Sequence, residues 1–248
     1  KILRDAERRN LEKSYDFLLR TRAEMQYING RSAEVLTLQL QGKVAQAFEY
    51  PQKNILRKVE AFMREYYGHA RTIYLVTESA LRKMEAIPPP ARSGLLRLFG
   101  VRQKPEKLDR FIISNGRIEP ESRDIFNDDP YRLMRAFHHA QVRQLEFHPE
   151  LADLVARRLH LIDRTFQYAS MARETFLAIL SRKGEVGRTL RLMHDLGVLG
   201  RYIPEFGDLD CLVQHEFYHR YTADEHTLVC IEKLDAILFA DSPKLRGY

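Results

Sequence analysis

Residues 54–86 constrain this chain more than any other stretch. Ile55, Val59, Phe62, Tyr66, Ala70, Ile73, Thr77, Ala80 and Met84 recur three or four apart and keep one apolar face throughout. At 1.5 Å per residue such a run makes roughly 50 Å of helix. Asn54 is suited to cap its start, and Pro88-Pro89-Pro90 ends it. The same period appears earlier. Leu11, Tyr15, Leu18, Met25 and Ile28 mark a helix over 2–28, stopped by Asn29-Gly30. A shorter helix is expected over 34–48, ending before Pro51. Helices with single apolar faces bury them against one another, so an antiparallel bundle follows.

Beyond a Pro-, Arg- and Lys-rich connector over 88–107 the pattern changes. Phe111-Ile112-Ile113-Ser114-Asn115-Gly116-Arg117-Ile118 reads as a β-hairpin, with Asn-Gly as a type I′ turn. Helices resume at Asp128-Asp129-Pro130, where acids suit the positive end of a helix and Pro suits its first position. Leu133, Phe137, Ala140 and Val142 carry that helix to about residue 146. Further helices are expected over 149–164, 171–182, 185–196 and 223–240, with Gly197, Gly200 and Pro204 punctuating the stretch before the last. The expected fold class is all-α: a helical bundle with one very long helix, a small hairpin near 111–118, and a second helical cluster.

Composition excludes several classes. Of 248 residues 44% are hydrophobic and 30% charged, a balance that favours a packed core over disorder. No apolar run approaches the ~18 residues that cross a bilayer. The first residues do not form a signal peptide, and two cysteines make neither a disulfide framework nor a Cys-based zinc site. A cytoplasmic protein without membrane contact is expected. The net charge of +6 is uneven. Residues 1–110 hold 22 basic and 13 acidic side chains, whereas 111–248 hold 18 and 21. The basic residues are interleaved with acids, which reads as solvated helix faces rather than a nucleic-acid surface.

Three segments carry candidate chemistry. His215-Glu216-Phe217-Tyr218-His219 matches the H-E-x-x-H pattern, in which a helix sets two His on one face for zinc and the Glu serves as base. Its setting is poor, because Arg220-Tyr221-Thr222 does not continue a helix. In Asp128-Asp129-Pro130-Tyr131-Arg132-Leu133-Met134-Arg135, Asp129 and Arg132 are three apart and can share one side of a helical turn. A carboxylate with a guanidinium can read the polar edge of a nucleobase. On spacing alone an Asp cap with an i,i+3 ion pair is the plainer account. The third segment, Tyr218 to Leu228, opens an apolar helix with Thr222 as N-cap and Glu225 completing a capping box. His226 then sits in the first turn, and the nearby metal-ligating candidates are His219, Asp224, Glu225 and His226. P-loop, G-x-G-x-x-G and G-x-S-x-G patterns are absent.

Taken together these segments resemble the bifunctional PII uridylyltransferase/uridylyl-removing enzymes. The resemblance rests on Tyr15-Asp16-Phe17-Leu18-Leu19-Arg20-Thr21-Arg22, Asn29-Gly30-Arg31, Leu36–Leu40 and Val59 to Tyr67. It is most specific in Gly197-Val198-Leu199-Gly200-Arg201-Tyr202-Ile203-Pro204-Glu205-Phe206-Gly207 and Tyr218 to Thr227. That family joins a nucleotidyltransferase domain, a helical segment, an HD-type phosphohydrolase domain and C-terminal ACT domains. The resemblance implies UMP transfer from UTP to a PII signal protein and its hydrolytic removal, with Mg²⁺ or Mn²⁺ in the complete enzyme and control by glutamine.

Only the helical segment and the entry to the HD domain are matched, so a scaffold inactive by itself is expected. The implied division is 1–107 as a long-helix bundle, 108–210 as a hairpin-plus-helix subdomain, and 211–248 as the start of an HD-type domain. His226 and His219 fall in the motif that carries the first metal-binding His. Asp129 and Arg132, with Arg135, match an acid-x-x-Arg pattern that related tRNA nucleotidyltransferases use for base selection. The alternatives from other classes are a nucleotide- or RNA-binding helical module, as beside poly(A)-polymerase-like domains, and a zinc peptidase through His215, Glu216 and His219.

Overall fold

The structure, a computed structural model, describes residues 2–86, 105–213 and 221–237. The chain forms two compact units, residues 1–84 with 209–226 and residues 85–208 with 227–248.

The first unit is built on three helices, α1 (Asp5–Asn29), α2 (Leu38–Ala47) and α3 (Ile55–Glu85). The signals that predict them operate as expected. Gly30 takes the left-handed conformation, φ 64°, and its N–H donates to the carbonyl of Tyr27. Thr37 accepts from the amide of Leu40. The Asn54 side chain accepts from the amides of Leu56 and Arg57, at 2.8 and 3.3 Å, and so caps α3. Pairings between α1 and α3 run in opposite order along the two helices. Glu7 meets Lys83 at 3.3 Å, Ser14 meets His69 at 3.0 Å, and Phe17 packs on Phe62. The two helices are therefore antiparallel. Val44, Ala45, Val59, Phe62 and Met63 form the buried centre, with Phe48 and Tyr50 edge-on to the Phe62 ring.

The second unit opens with a sheet. Strands β2 (Phe111–Ser114) and β3 (Arg117–Pro120) form the expected hairpin, with Asn115 and Gly116 at φ 49° and 71° as a type I′ turn requires. Two more strands flank it. β1 (Glu106–Leu108) pairs antiparallel with β2, and β4 (Glu146–Phe147) pairs parallel with β3, giving the order β1-β2-β3-β4. The expected hairpin is thus the centre of a small four-stranded sheet. β1 and β4 are three and two residues long, too short to show a period. The β1–β2 turn, Asp109-Arg110, has φ 49° and 65° without a glycine to announce it.

Helices follow: α4 (Ile125–Asp128), α5 (Arg132–Arg143), α6 (Pro149–Arg157), α7 (Arg164–Tyr168), α8 (Ser170–Leu180), α9 (Val186–Asp195), α10 (Val198–Tyr202) and α11 (Pro204–Gly207). Last comes α12 (Ala223–Ile237), whose residues from 227 onward belong to this unit. Pro130 is not the first residue of α5. Asp129 precedes a proline and is driven to extended backbone, φ −152° and ψ 101°, so Pro130 and Tyr131 form a turn before regular helix begins. α5 is the central element. Its Leu133, Met134, Ala136, Phe137 and Ala140 are buried, and the Gln141 amide donates to the carbonyls of Ile179 and Glu185.

Two glycines explain the Gly197–Gly207 motif. A Cβ on Gly200 would lie 2.9 Å from the Gly207 Cα, and one on Gly207 would lie 2.8 Å from the Gly200 carbonyl oxygen. α10 and α11 therefore meet backbone to backbone. α12 is held against α9 by Asp235, which accepts from the amides of Gly184 and Gly187 at 3.0 and 2.6 Å. That carboxylate supplies the α9 N-terminus with the acceptor its own N-cap, Glu185, does not provide. Arg191 pairs with Glu232 beside it. Among the described residues no helix is long and apolar enough to cross a membrane.

Candidate functional site

The sheet and α5 bring together a cluster that sequence spacing only half predicts. Arg132, Arg135 and His139 stand at i, i+3 and i+7 on α5, one stripe of the helix. Facing them is Asp109, on the β1–β2 turn. Its carboxylate accepts from Arg132 Nε at 3.1 Å, from Arg135 Nε and Nη2 at 2.6 and 3.0 Å, and lies 3.3 Å from His139 Nε2. Asp129 completes the group. Its Oδ2 accepts from Arg135 Nη2 at 2.7 Å and its Oδ1 from the Tyr131 amide at 3.0 Å. Arg132 Nη1 donates to the carbonyl of Ile125.

The expected partnership is thus rearranged. Asp129 and Arg132 do occupy one turn, but Asp129 pairs with Arg135, and Arg132 pairs with Asp109. The extended backbone at Asp129 turns its carboxylate along the helix toward the next stripe position instead of the neighbouring one. Arg135, predicted with the other two, lies at the centre. Sequence spacing singles out neither Asp109 nor His139. The one signal for Asp109 is its place in a two-residue gap between Leu108 and Phe111, and for His139 its i+7 spacing from Arg132.

Electrostatics tighten the cluster. The side chains of Arg132, Asp109 and Arg135 are 15%, 21% and 21% exposed. Burial pushes the Asp109 carboxyl upward, but the hydrogen bonds and charge of Arg135, with Arg132 and His139, outweigh it and hold the group below the usual carboxylate range. Arg135 is correspondingly held in its charged form: burial lowers its pKa, and the bonds to Asp109 and Asp129 raise it further. A second layer rims the turn, where Arg110 pairs with Asp128 and with Glu121, and Glu121 with Lys107. Two guanidiniums with fixed planes suit an acceptor-rich group such as a nucleobase edge or a phosphate.

The predicted metal residues are less gathered. His219, with His215 and Glu216, lies outside the described residues. His226 is exposed in the first turn of α12, while Asp224, two residues earlier, is buried on the opposite side. Glu225 is taken by Arg71 at 3.3 Å. Among the described residues no group of three or more His, Cys, Asp or Glu side chains includes His226. A metal ion needs several such donors, so the described residues do not complete a site for one around His226.

Comparison with known proteins agrees with the architecture. Residues 1–81 match the family model described as GlnD PII-uridylyltransferase, and residues 111–202 match that of the uridylyltransferase GlnD third domain. A bifunctional uridylyltransferase/uridylyl-removing enzyme of Cereibacter sphaeroides is 36% identical over 226 residues, which is 91% of this chain and 24% of the relative. One from Caulobacter vibrioides (strain NA1000 / CB15N) is 38% identical over 220 residues, 87% of this chain and 23% of the relative. The chain therefore spans about a quarter of the length of the curated relatives it matches. No solved structure matches it significantly. With two models of one enzyme matched in chain order on either side of the connector, the chain belongs to the bifunctional uridylyltransferase/uridylyl-removing enzyme family.

Proposed function

We propose that this chain is the helical scaffold of a uridylyltransferase/uridylyl-removing enzyme, joining a UTP-using domain to a uridylyl-removing domain. The observation that carries this reading is the span of the match: nearly all of this chain aligns with a quarter of each relative. The scaffold's part in UMP transfer would be to present the Asp129, Arg132 and Arg135 turn to the nucleotide. Its acceptor would be a PII signal protein and its donor substrate UTP. Glutamine control would act through domains outside this chain.

Mg²⁺ or Mn²⁺ would supply charge stabilisation on the transferring phosphoryl group in the complete enzyme. His226 would contribute to a uridylyl-removing centre whose other ligands lie elsewhere. Since the described donors around His226 are divided between two faces of α12, no step of the reaction is assigned to them. What this chain's own residues do is hold: Asp109 bonds both arginines and Asp129 bonds Arg135, fixing the two guanidiniums at the edge of the sheet. The test is an assay of the complete protein carrying this segment for both UMP transfer to PII and its release. Activity in both directions is expected. A complete protein with neither would overturn the reading.

A further inference from the structure

We infer that Asp109 is the positioning residue for the guanidinium groups of Arg132 and Arg135, setting the donor face that a nucleotide meets. The inference rests on the nucleotide-presenting role proposed for that turn. Three observations lead to it.

First, one carboxylate serves the whole stripe. Asp109 takes the Nε of both arginines, at 3.1 and 2.6 Å, together with Arg135 Nη2, at 3.0 Å. An Nε bond fixes the plane of a guanidinium, because it anchors the group at its root and leaves the far nitrogens to point outward. Arg132 Nη2 and Arg135 Nη1 carry no hydrogen bond among the described residues. Long arginine side chains otherwise lose rotamer freedom when they are ordered on a ligand. Here that ordering is done in advance.

Second, Asp109 is itself fixed. It occupies the first place of a two-residue turn with φ 49°, a left-handed conformation that Asp tolerates better than most residues. The turn is held by the Leu108–Phe111 pair, and Phe111 is fully buried. The carboxylate therefore reaches α5 from a rigid strand end.

Third, Asp129 is turned into the cluster and presents no free carboxylate oxygen outward. Both its oxygens are engaged, one by the Tyr131 amide and one by Arg135 Nη2. The outward face of the cluster consequently offers N–H donors. The group it suits is an acceptor on the nucleotide, either a base carbonyl or a phosphate oxygen.

The experiment compares steady-state kinetics of UMP transfer in the complete enzyme for the native protein, Asp109→Asn, Asp109→Gly and Arg132→Ala. Asn keeps the shape and the left-handed turn while removing the charge. Gly keeps the turn and removes the acceptor altogether. Should one of them melt early by circular dichroism, the other carries the measurement. The expected result is a KM for UTP raised about tenfold in both Asp109 variants with kcat nearly unchanged, the size of one misdirected hydrogen bond. If the acceptor is the base carbonyl, discrimination of UTP from CTP falls as well. If it is a phosphate oxygen, KM rises equally for both nucleotides. Unchanged KM in both Asp109 variants, with a raised KM in Arg132→Ala, overturns the positioning role. Unchanged KM in Arg132→Ala too overturns the nucleotide-presenting role beneath it.

Discussion

Gly200 and Gly207 leave no room between them for a side chain. A methyl group on Gly200 meets backbone at 2.9 Å, and backbone cannot rotate away as a flexible side chain can. Gly200→Ala should therefore destabilise the second unit by about 1–3 kcal/mol, the usual cost of forcing extra volume into packed structure. A thermal melt of the variant beside the native chain measures it. Glu7 gives the matching prediction for charge. Burial pushes its carboxyl upward, but hydrogen bonds from Arg4 and the charge of Lys83 lower it from 4.5 to about 2. Ionised Glu7 thus favours the folded state, so its stabilisation is complete above about pH 4.5 and is lost as pH falls toward 2. Glu7→Gln should lose that part of the acid dependence in a denaturation series between those values. Asp109, also lowered, gives the second unit a contribution of the same sign, complete above its ordinary 3.8 and lost as pH falls below it. The candidate site is legible in the sequence only in part. Arg132 and Arg135 stand on a regular helix, where spacing reveals a shared face. Asp109 comes from another element, and no local pattern predicts a partner 23 and 26 residues away.

Among the elements, α9 and α12 show how a helix end is satisfied across a gap in sequence. Asp235 of α12 accepts from the Gly184 and Gly187 amides, and Gly187 itself lies where an added Cβ would come within 2.8 Å of the Glu232 backbone. The two helices are matched by a missing side chain on one and a carboxylate on the other. Asp235→Ala should cost about 1 kcal/mol, as loss of an N-cap does. Amide hydrogen exchange of Gly184 and Gly187 should quicken several-fold, while that of Phe137 in α5 should stay close to native. The long helices are readable from sequence because their apolar period runs over many turns and their ends carry Asn54 and Gly30. The flanking strands β1 and β4 are not. They are too short for alternation to show, and their pairing is decided by the buried Phe111, Ile118 and Phe147 of the sheet rather than by a pattern of their own.

For the molecule as a whole, each of the two units has a buried core of its own, and the family match crosses both. The matched models cover residues 1–81 and 111–202. The scaffold role proposed for this chain is one of supporting chemistry that other domains perform. In that role the arginine cluster would bind and orient, and among the described residues neither it nor the first turn of α12 brings a nucleophile, a base and a leaving-group acid together. UMP transfer by the purified 248-residue chain, given labelled UTP, Mg²⁺ or Mn²⁺ and PII, with the complete enzyme run in parallel, tests that supporting role most directly. Labelled PII is expected with the complete enzyme, and none above buffer with the chain alone. Labelled PII formed by the chain alone would contradict the scaffold role.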